Sequence, residues 1–420
     1  MYRCLQHEMP SPLESVSRKT GVLTYDMKLL TPMVGGGVES WKPDLFCPVR
    51  IQSIKGILRF WWRTMQNIQR YDVLIANENT LWGCSRNASR VAINVEIKAR
   101  PEIVKLERDE RDRVQYGDLH PYVLFPLQGQ KGMDRFTLIR SMKFRLVIRC
   151  PESEWETVDK CMTLWVLFGG LGARTRRGCG SLYCSKVMEE FQSGEDVWEF
   201  LEGFTRKGSP DFASSHYPSL SNCRFAWSEI DVQGEADPIG IWSDFLDKYY
   251  RFRQGPGVGR DTKDNKRPGR TRWPEADTIR DITGIYGNHV PMHPARPWFP
   301  RGAYGLPIET EFRNDSTDPV DIKFRLRPPK DLGDRWPSPV ILKIIKLSSS
   351  SRFLKACLIL NHRLPDEIVL FQDNSVLHTL KPDEMPLAYS GKTMPSNAPL
   401  SSGQSPYDAL IDKLGLQEGR

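Results

Sequence analysis

The residues best suited to chemistry lie in one stretch, GGLGARTRRGCGSL, from Gly169 to Leu182. Its five glycines surround Arg174, Arg176 and Arg177. Glycine reaches backbone conformations that other residues avoid and lets a main chain approach a ligand closely. Amides exposed in such a loop can form an anion-binding concavity. Three guanidiniums beside it supply forked donors suited to phosphate. The pattern reads as a clamp for a polyanionic backbone, with Gly172, Arg174, Arg176, Arg177 and Gly178 as its members. The alternative is a glycine-rich turn whose arginines are merely solvated.

A second glycine run, Gly35-Gly36-Gly37, precedes a segment of helical periodicity. There Ile54, Ile57, Leu58, Trp61, Met65 and Ile68 define a face for burial. Lys55, Arg59 and Arg63, four apart, line another face, and Trp62 sits at its border. These residues are candidates for RNA contact, against the plainer reading of a solvated side. Arg270 and Arg272 close a basic, Gly/Pro-rich loop from Arg253 to Pro274 and join the candidates. Trp41, Trp273 and Trp298 stand beside Lys42, Arg272 and Arg296. Loop aromatics next to cations can stack unpaired bases, or can plug a long loop.

Metal or nucleophilic chemistry has little support. His289 and His293 are spaced H-x3-H in a proline-rich segment without a third ligand. No Walker loop, HExxH or GxSxG occurs. Asp26 and Asp44 flank the first glycine run with no partner in sequence. Nine scattered cysteines with no CxxC pair fit reduced thiols in a cytoplasmic protein. MYRCLQHEMPSPLE has no apolar signal core, and no stretch suits a membrane span. The net charge of +7 and pI near 8.8 are modest. What favours nucleic acid is the clustering of arginine with Trp, Phe and Gly.

At 420 residues and 39% hydrophobic content, two or three packed domains are expected. Residues 21–30 alternate as a strand. A helix from Ser53, strands at 90–98 and 136–150, a helix opened by Pro151, and a strand at 181–188 follow. The span 100–116 reads as a charged, mobile insertion. The order of elements is βαββαβ, the ferredoxin-like frame also used by RNA-recognition folds. A second unit opens with a strand at 224–232 and a helix over 241–250, then a short helix after Pro274 and strands near 299–312, 322–326, 340–347 and 353–360. Residues 389–406, rich in Ser, Pro, Gly and Asn, predict a loose tail.

Several segments together resemble a known family: LLTPMVGGGVESWKPD (29–44), VRIQSIKGILRFWWR (49–63), LWGCS (81–85), FGGLGARTRRGCGSL (168–182), RWPEADTIR (272–280) and FPRGAYGLPI (299–308). In this order they resemble the first subunit of the type III-B CRISPR effector, the Cmr complex, within the RAMP superfamily. The resemblance covers roughly residues 20–350. It implies an α+β protein with two ferredoxin-like (RRM-like) RAMP domains in tandem, at 20–195 and 220–360; the flexible tail expected at 385–420 comes from composition, not from the resemblance. The resemblance also implies a non-catalytic subunit without a cofactor of its own, holding the guide RNA near its 3′ end and helping to capture complementary single-stranded target RNA. Its other partners would be neighbouring RAMP subunits of the complex. Cys179 departs from the aromatic or small residue expected in the arginine-glycine loop. The rival reading is a metal-independent RAMP endoribonuclease that processes guide RNA. It would need a histidine against the ribose 2′-OH, with His120, His289 and His293 as the choices.

Overall fold

The computed structural model describes residues 20–39, 42–66, 68, 70–124, 137–205, 217–254, 273–285, 298–312, 323–329, 333–348, 351–381, 399–401 and 403–419. The first unit runs β1 (Thr20–Leu29), α1 (Ile51–Thr64), α2 (Tyr71–Trp82), β2 (Ala92–Lys105), the one-turn α3 (Pro121–Leu124), β3 (Thr137–Pro151), α4 (Trp155–Phe168), β4 (Leu182–Tyr183), the one-turn α5 (Ser185–Met188) and α6 (Gly194–Glu202). Its sheet has the order β2-β3-β1-β4, antiparallel throughout. The alternation in β1 turns Tyr25, Met27 and Leu29 inward and leaves Thr24, Asp26 and Lys28 in solvent. One face therefore meets the helices while the other stays open, as antiparallel sheets allow. The span 100–116, expected to be a mobile insertion, instead extends β2 to Lys105 and folds back through an Arg108–Val114 bridge. The strand expected at 181–188 shrinks to two residues before α5 begins.

The second unit contains β5 (Ser219–Asp231), α7 (Pro238–Gln254), α8 (Glu275–Thr283), β6 (Ile308–Glu311), β7 (Lys323–Arg327), β8 (Val340–Lys346), β9 (Arg352–Asn361), β10 (Ile368–Gln372), β11 (Ser375–Leu380), α9 (Pro406–Leu414) and β12 (Gln417–Glu418). One sheet has the order β12-β5-β9-β8. Taken in chain order, its strands fall in the same sequence as those of the first sheet. A further antiparallel sheet, β11-β10-β7-β6, has a core of its own that includes Phe299, Leu326, Trp336 and Leu370.

The expected loose tail requires correction from 405 onward. Ser405 caps α9 through a capping box with Asp408. Ala409, Leu410, Ile411 and Leu414 are buried in the core that also holds Trp242, Phe245 and Tyr249 of α7. Arg224 on β5 binds Glu418 (2.6 Å) and Asp408 (2.7 Å). The second unit therefore extends well past residue 360.

Helix α4 joins the two units. From Cys161 to Phe168 every side chain is buried, which suits a helix with protein on all sides. It packs on α1 and on β8, and one continuous core runs from Tyr25 and Trp61 to Phe225 and Ile345.

Candidate nucleic-acid interface

The two glycine runs, distant in sequence, meet at the end of β1. Val34 and Ala173 form a β-bridge, with the Ala173 amide donating to the Val34 carbonyl at 2.6 Å. The Gly180 amide donates to Pro32, and the Leu171 amide to Gly180. A Cβ at Gly172 would strike the Val34 carbonyl, and one at Gly36 would press on Gly172. Gly35 folds back in a left-handed turn, and the Gly37 amide donates to Lys42 at 2.8 Å. At Gly178, φ is 77° and a Cβ would lie 2.7 Å from the Trp242 indole nitrogen. These glycines let backbone approach backbone. The amides named here are spent on the protein rather than on an anion.

Two of the three loop arginines also turn inward, which corrects their reading as a phosphate clamp. Arg176 donates to the Ser338 carbonyl and lies over the Phe60 ring. Arg177 donates to the Val340 carbonyl at 2.9 Å and lies 4.8 Å from the Tyr249 ring centroid. The Arg177 carbonyl in turn accepts from the Trp242 indole at 2.8 Å. The pair clasps the first unit to the start of β8. Beneath them Lys343, fully buried, donates to the Gly169 carbonyl, and burial pushes its pKa down to about 7.

The α1 stripe is corrected in the same way. Arg59 and Arg63 both bind Glu78 of α2, whose side chain is 0% exposed; the Arg63 contact is 2.8 Å. Arg59 also donates to the Gly83 carbonyl at 3.3 Å. Trp62 belongs to the core, as do Trp273 and Trp298, so none of the three offers a face to a base. The sequence did carry a signal for the ion pairs. Leu74, Glu78 and Leu81 share the buried face of α2, and an acid on such a face needs a cationic partner. Trp41, Arg270, Arg272, His289, His293 and Arg296 lie outside the described residues.

Lys55 and Arg174 remain. Lys55 is half-buried on the wall of a shallow cleft of about 430 Å³, with Gln52, Gly56, Arg59 and Asn87. Burial first, and then Arg59, lower its pKa. Arg174 holds a left-handed backbone, φ 58°, a strained setting for a residue with a side chain. It stands at a cleft of about 740 Å³ formed with His120, Tyr122, Asp247, Tyr250 and Gln254. The Tyr122 and Tyr250 rings lie 5.4 Å apart, and Tyr122 also meets Tyr249 edge-on. The Arg174 guanidinium makes no ion pair or hydrogen bond among the described residues. Partial burial of its guanidinium in the cleft wall lowers its pKa.

Sequence reasoning left Tyr122, Tyr250 and Asp247 out of the site. They lie on α3 and α7, which meet only in three dimensions. His120, the histidine available to the nuclease reading within the described residues, has one nitrogen hydrogen-bonded and the other beside an acid. Its Nδ1 accepts from the Tyr122 amide at 3.2 Å, and its Nε2 faces Asp247 Oδ1 at 3.6 Å. Burial lowers its pKa, opposed by Asp247, so the ring is neutral at pH 7.

The cleft and the loops that build it can be set beside known proteins. Residues 26–183, from β1 through β4, match the family model of the RAMP superfamily. That stretch of the chain is similar to the RAMP superfamily. Over 149 residues, 34% of the chain, it is 31% identical to CRISPR system Cmr subunit Cmr1-1 of Pyrococcus furiosus, and that stretch spans 42% of the relative's length. Cmr1-2 of the same organism is 23% identical over 184 residues, 39% of this chain and 96% of its own. The crystal structure of apo Cmr1 from Pyrococcus furiosus aligns with 87% of this chain and 94% of its own at 16% identity, with a TM-score of 0.46. The RAMP match takes in both glycine runs, α1 and Arg174. Tyr250 and Asp247 lie beyond it. Among the described residues no group of three or more His, Cys, Asp or Glu could hold a metal ion, and no helix is long and apolar enough to cross a membrane.

Proposed function

We propose that the chain is a Cmr1-like, non-catalytic RNA-binding subunit of a type III-B CRISPR ribonucleoprotein, built from two ferredoxin-like RAMP units in tandem. It works beside other RAMP subunits, near the guide RNA 3′ end, and helps to capture target RNA. The tandem frame is supported by the shared strand order of the two main sheets. The observation that carries the functional reading is Arg174: a guanidinium without a partner among the described residues, held on a left-handed backbone at an aromatic cleft. A phosphate takes the guanidinium and the adjoining base lies against Tyr122 or Tyr250. Stacking of this kind contributes about 1–3 kcal/mol per base. The phosphate contact fixes position without reading sequence.

The hydrogen-bonded Nδ1 of His120, with Asp247 facing its Nε2, favours this reading over ribonuclease chemistry, which needs a free base beside the 2′-OH. The experiment is a titration of the full chain with unstructured single-stranded RNA, using fluorescence anisotropy at several salt concentrations. Arg174→Ala should weaken binding alike across sequences and flatten the salt slope by about 0.7. Arg174→Lys should recover part of the affinity, because an ammonium lacks the fork. Unchanged affinity and slope in Arg174→Ala would refute the assignment. Cleavage of the RNA in chelator, lost on 2′-deoxy substitution, would restore the nuclease reading.

A further inference from the structure

The open face of the first sheet carries a line of cations that no carboxylate pairs with among the described residues. Lys28 of β1 pairs in register with Lys143 of β3 on one side and with Tyr183 of β4 on the other. Lys346, the last residue of β8, places its Nζ 5.1 Å from the Tyr183 ring centroid. The row Lys143–Lys28–Tyr183–Lys346 thus crosses from the first unit into the second. Lys28 and Lys143 are exposed; Tyr183 and Lys346 are half-exposed. None of the three lysines has a carboxylate partner among the described residues. Burial and the neighbouring Lys28 together lower the Lys346 pKa.

The next positions on the same face behave differently. Asp26 and Arg145, two residues along each strand, are also cross-strand partners, and they pair at 2.8 Å. Glu96 of β2, opposite Arg145, also pairs with Lys98 at 2.7 Å. The sheet therefore compensates the charges of these positions, whereas Lys28 and Lys143 stay unmatched among the described residues. Glu189 lies near enough to Tyr183 to add to the burial that raises its hydroxyl pKa, yet it pairs with none of the lysines. Like charges opposite one another destabilise a sheet, so the row weakens the fold unless an anion covers it.

We propose that this row is a second RNA-contact surface, separate from the Arg174 cleft, that carries the sugar-phosphate backbone of a single strand across the two units. Lys143 and Lys28 stand on paired strands about 4.8 Å apart, and Tyr183 and Lys346 carry the line on into the second unit. Such a line fits a linear polyanion with a repeating charge better than it fits a folded acidic patch. Lysine acts as a point charge and tolerates sliding of the strand. The proposal rests on the RNA-binding reading only in naming RNA as the polyanion.

The test is the full chain carrying Lys28→Ala, Lys143→Ala and Lys346→Ala together, titrated with unstructured single-stranded RNA between 50 and 200 mM salt. The salt slope should flatten by about 2, so that wild type loses roughly twentyfold more affinity than the variant over this range. The unfolding midpoint should hold or rise, because like-charge repulsion is removed. Lysine-to-glutamine changes at the same positions should give the same slope. Ultraviolet cross-linking of the wild type should map RNA to the Tyr183 peptide. If the slope is unchanged while Arg174→Ala weakens binding, the row is not an RNA surface and the functional reading stands. If the wild type itself shows no salt-dependent affinity, the RNA-binding reading fails and the row fails with it. Normal RNA binding with loss of a neighbouring subunit would make the row a protein interface, which also overturns the proposal.

Discussion

Arg177→Ala separates a structural arginine from a ligand-binding one three residues away. The substitution removes a charged hydrogen bond to the Val340 carbonyl, a weaker contact to Ser338 Oγ at 3.3 Å, and a guanidinium over the Tyr249 ring. A hydrogen bond with one charged partner contributes about 1.5–3 kcal/mol. A partly desolvated cation–π contact adds roughly 0.5–1 kcal/mol. Arg177→Ala should therefore lower the unfolding free energy by about 2–4 kcal/mol. In urea denaturation this appears as a lower midpoint at a similar slope. RNA affinity, measured below the transition, should stay close to wild type because the side chain faces β8. Arg174→Ala should do the opposite, with stability held within about 1 kcal/mol, since alanine keeps the same left-handed cost, and RNA binding weakened. If Arg177→Ala leaves stability untouched and abolishes RNA binding, the inward clasp is wrong and the loop is a phosphate clamp after all.

Other outcomes follow from the same packing. Glu78→Ala should cost about 3 kcal/mol by leaving Arg59 and Arg63 unmatched, less than a fully enclosed pair because both arginines reach solvent; thermal melts at low and high salt check it. Lys343→Met should change the pH dependence of stability. The folded-state pKa, about 7, lies below the ordinary 10.5, so between these values the unfolded chain holds a proton that the folded chain lacks, and stability rises with pH across that window. Methionine should abolish the rise and stabilise the protein at pH 6, as read by denaturation at pH 6 and 9. Removing residues 405–419 should unfold the second unit, because Leu410, Ile411 and Leu414 alone bury side chains that contribute about 5–9 kcal/mol; limited proteolysis would then cut β5 and α7.

The first unit was legible because its signals are local. Alternation in β1 and helical spacing in α1 and α4 can be read over ten to fifteen residues without knowing any partner. The closing elements of the second unit were not legible. Strand β12 has two residues, and α9 follows a segment whose composition signals disorder. In the further sheet, β6 and β7 fall where strands were expected, near 299–312 and 322–326, whereas β10 and β11, of five and six residues, are too short for periodicity to register. At the site, sequence located the arginines and the glycines but not their targets. Whether Arg177 meets a phosphate or the Val340 carbonyl depends on a residue 163 positions away. The Tyr122–Tyr250 contact likewise exists only because α3 and α7 come together.

The separation of β5 from β12 sets a timetable for synthesis. Arg224 and its partner Glu418 are 194 residues apart. At translation speeds of about 5–20 residues per second, some 10–40 s elapse between their emergence. Strand β9, the other neighbour of β5, also emerges more than a hundred residues after it. For much of that interval β5 is a long strand with both edges unsatisfied, the kind of element that pairs with the wrong chain. On a polysome such nascent strands sit close together. Expression yield should therefore be limited by the ribosome and its attendant chaperones, and slower elongation should worsen aggregation of this protein rather than relieve it.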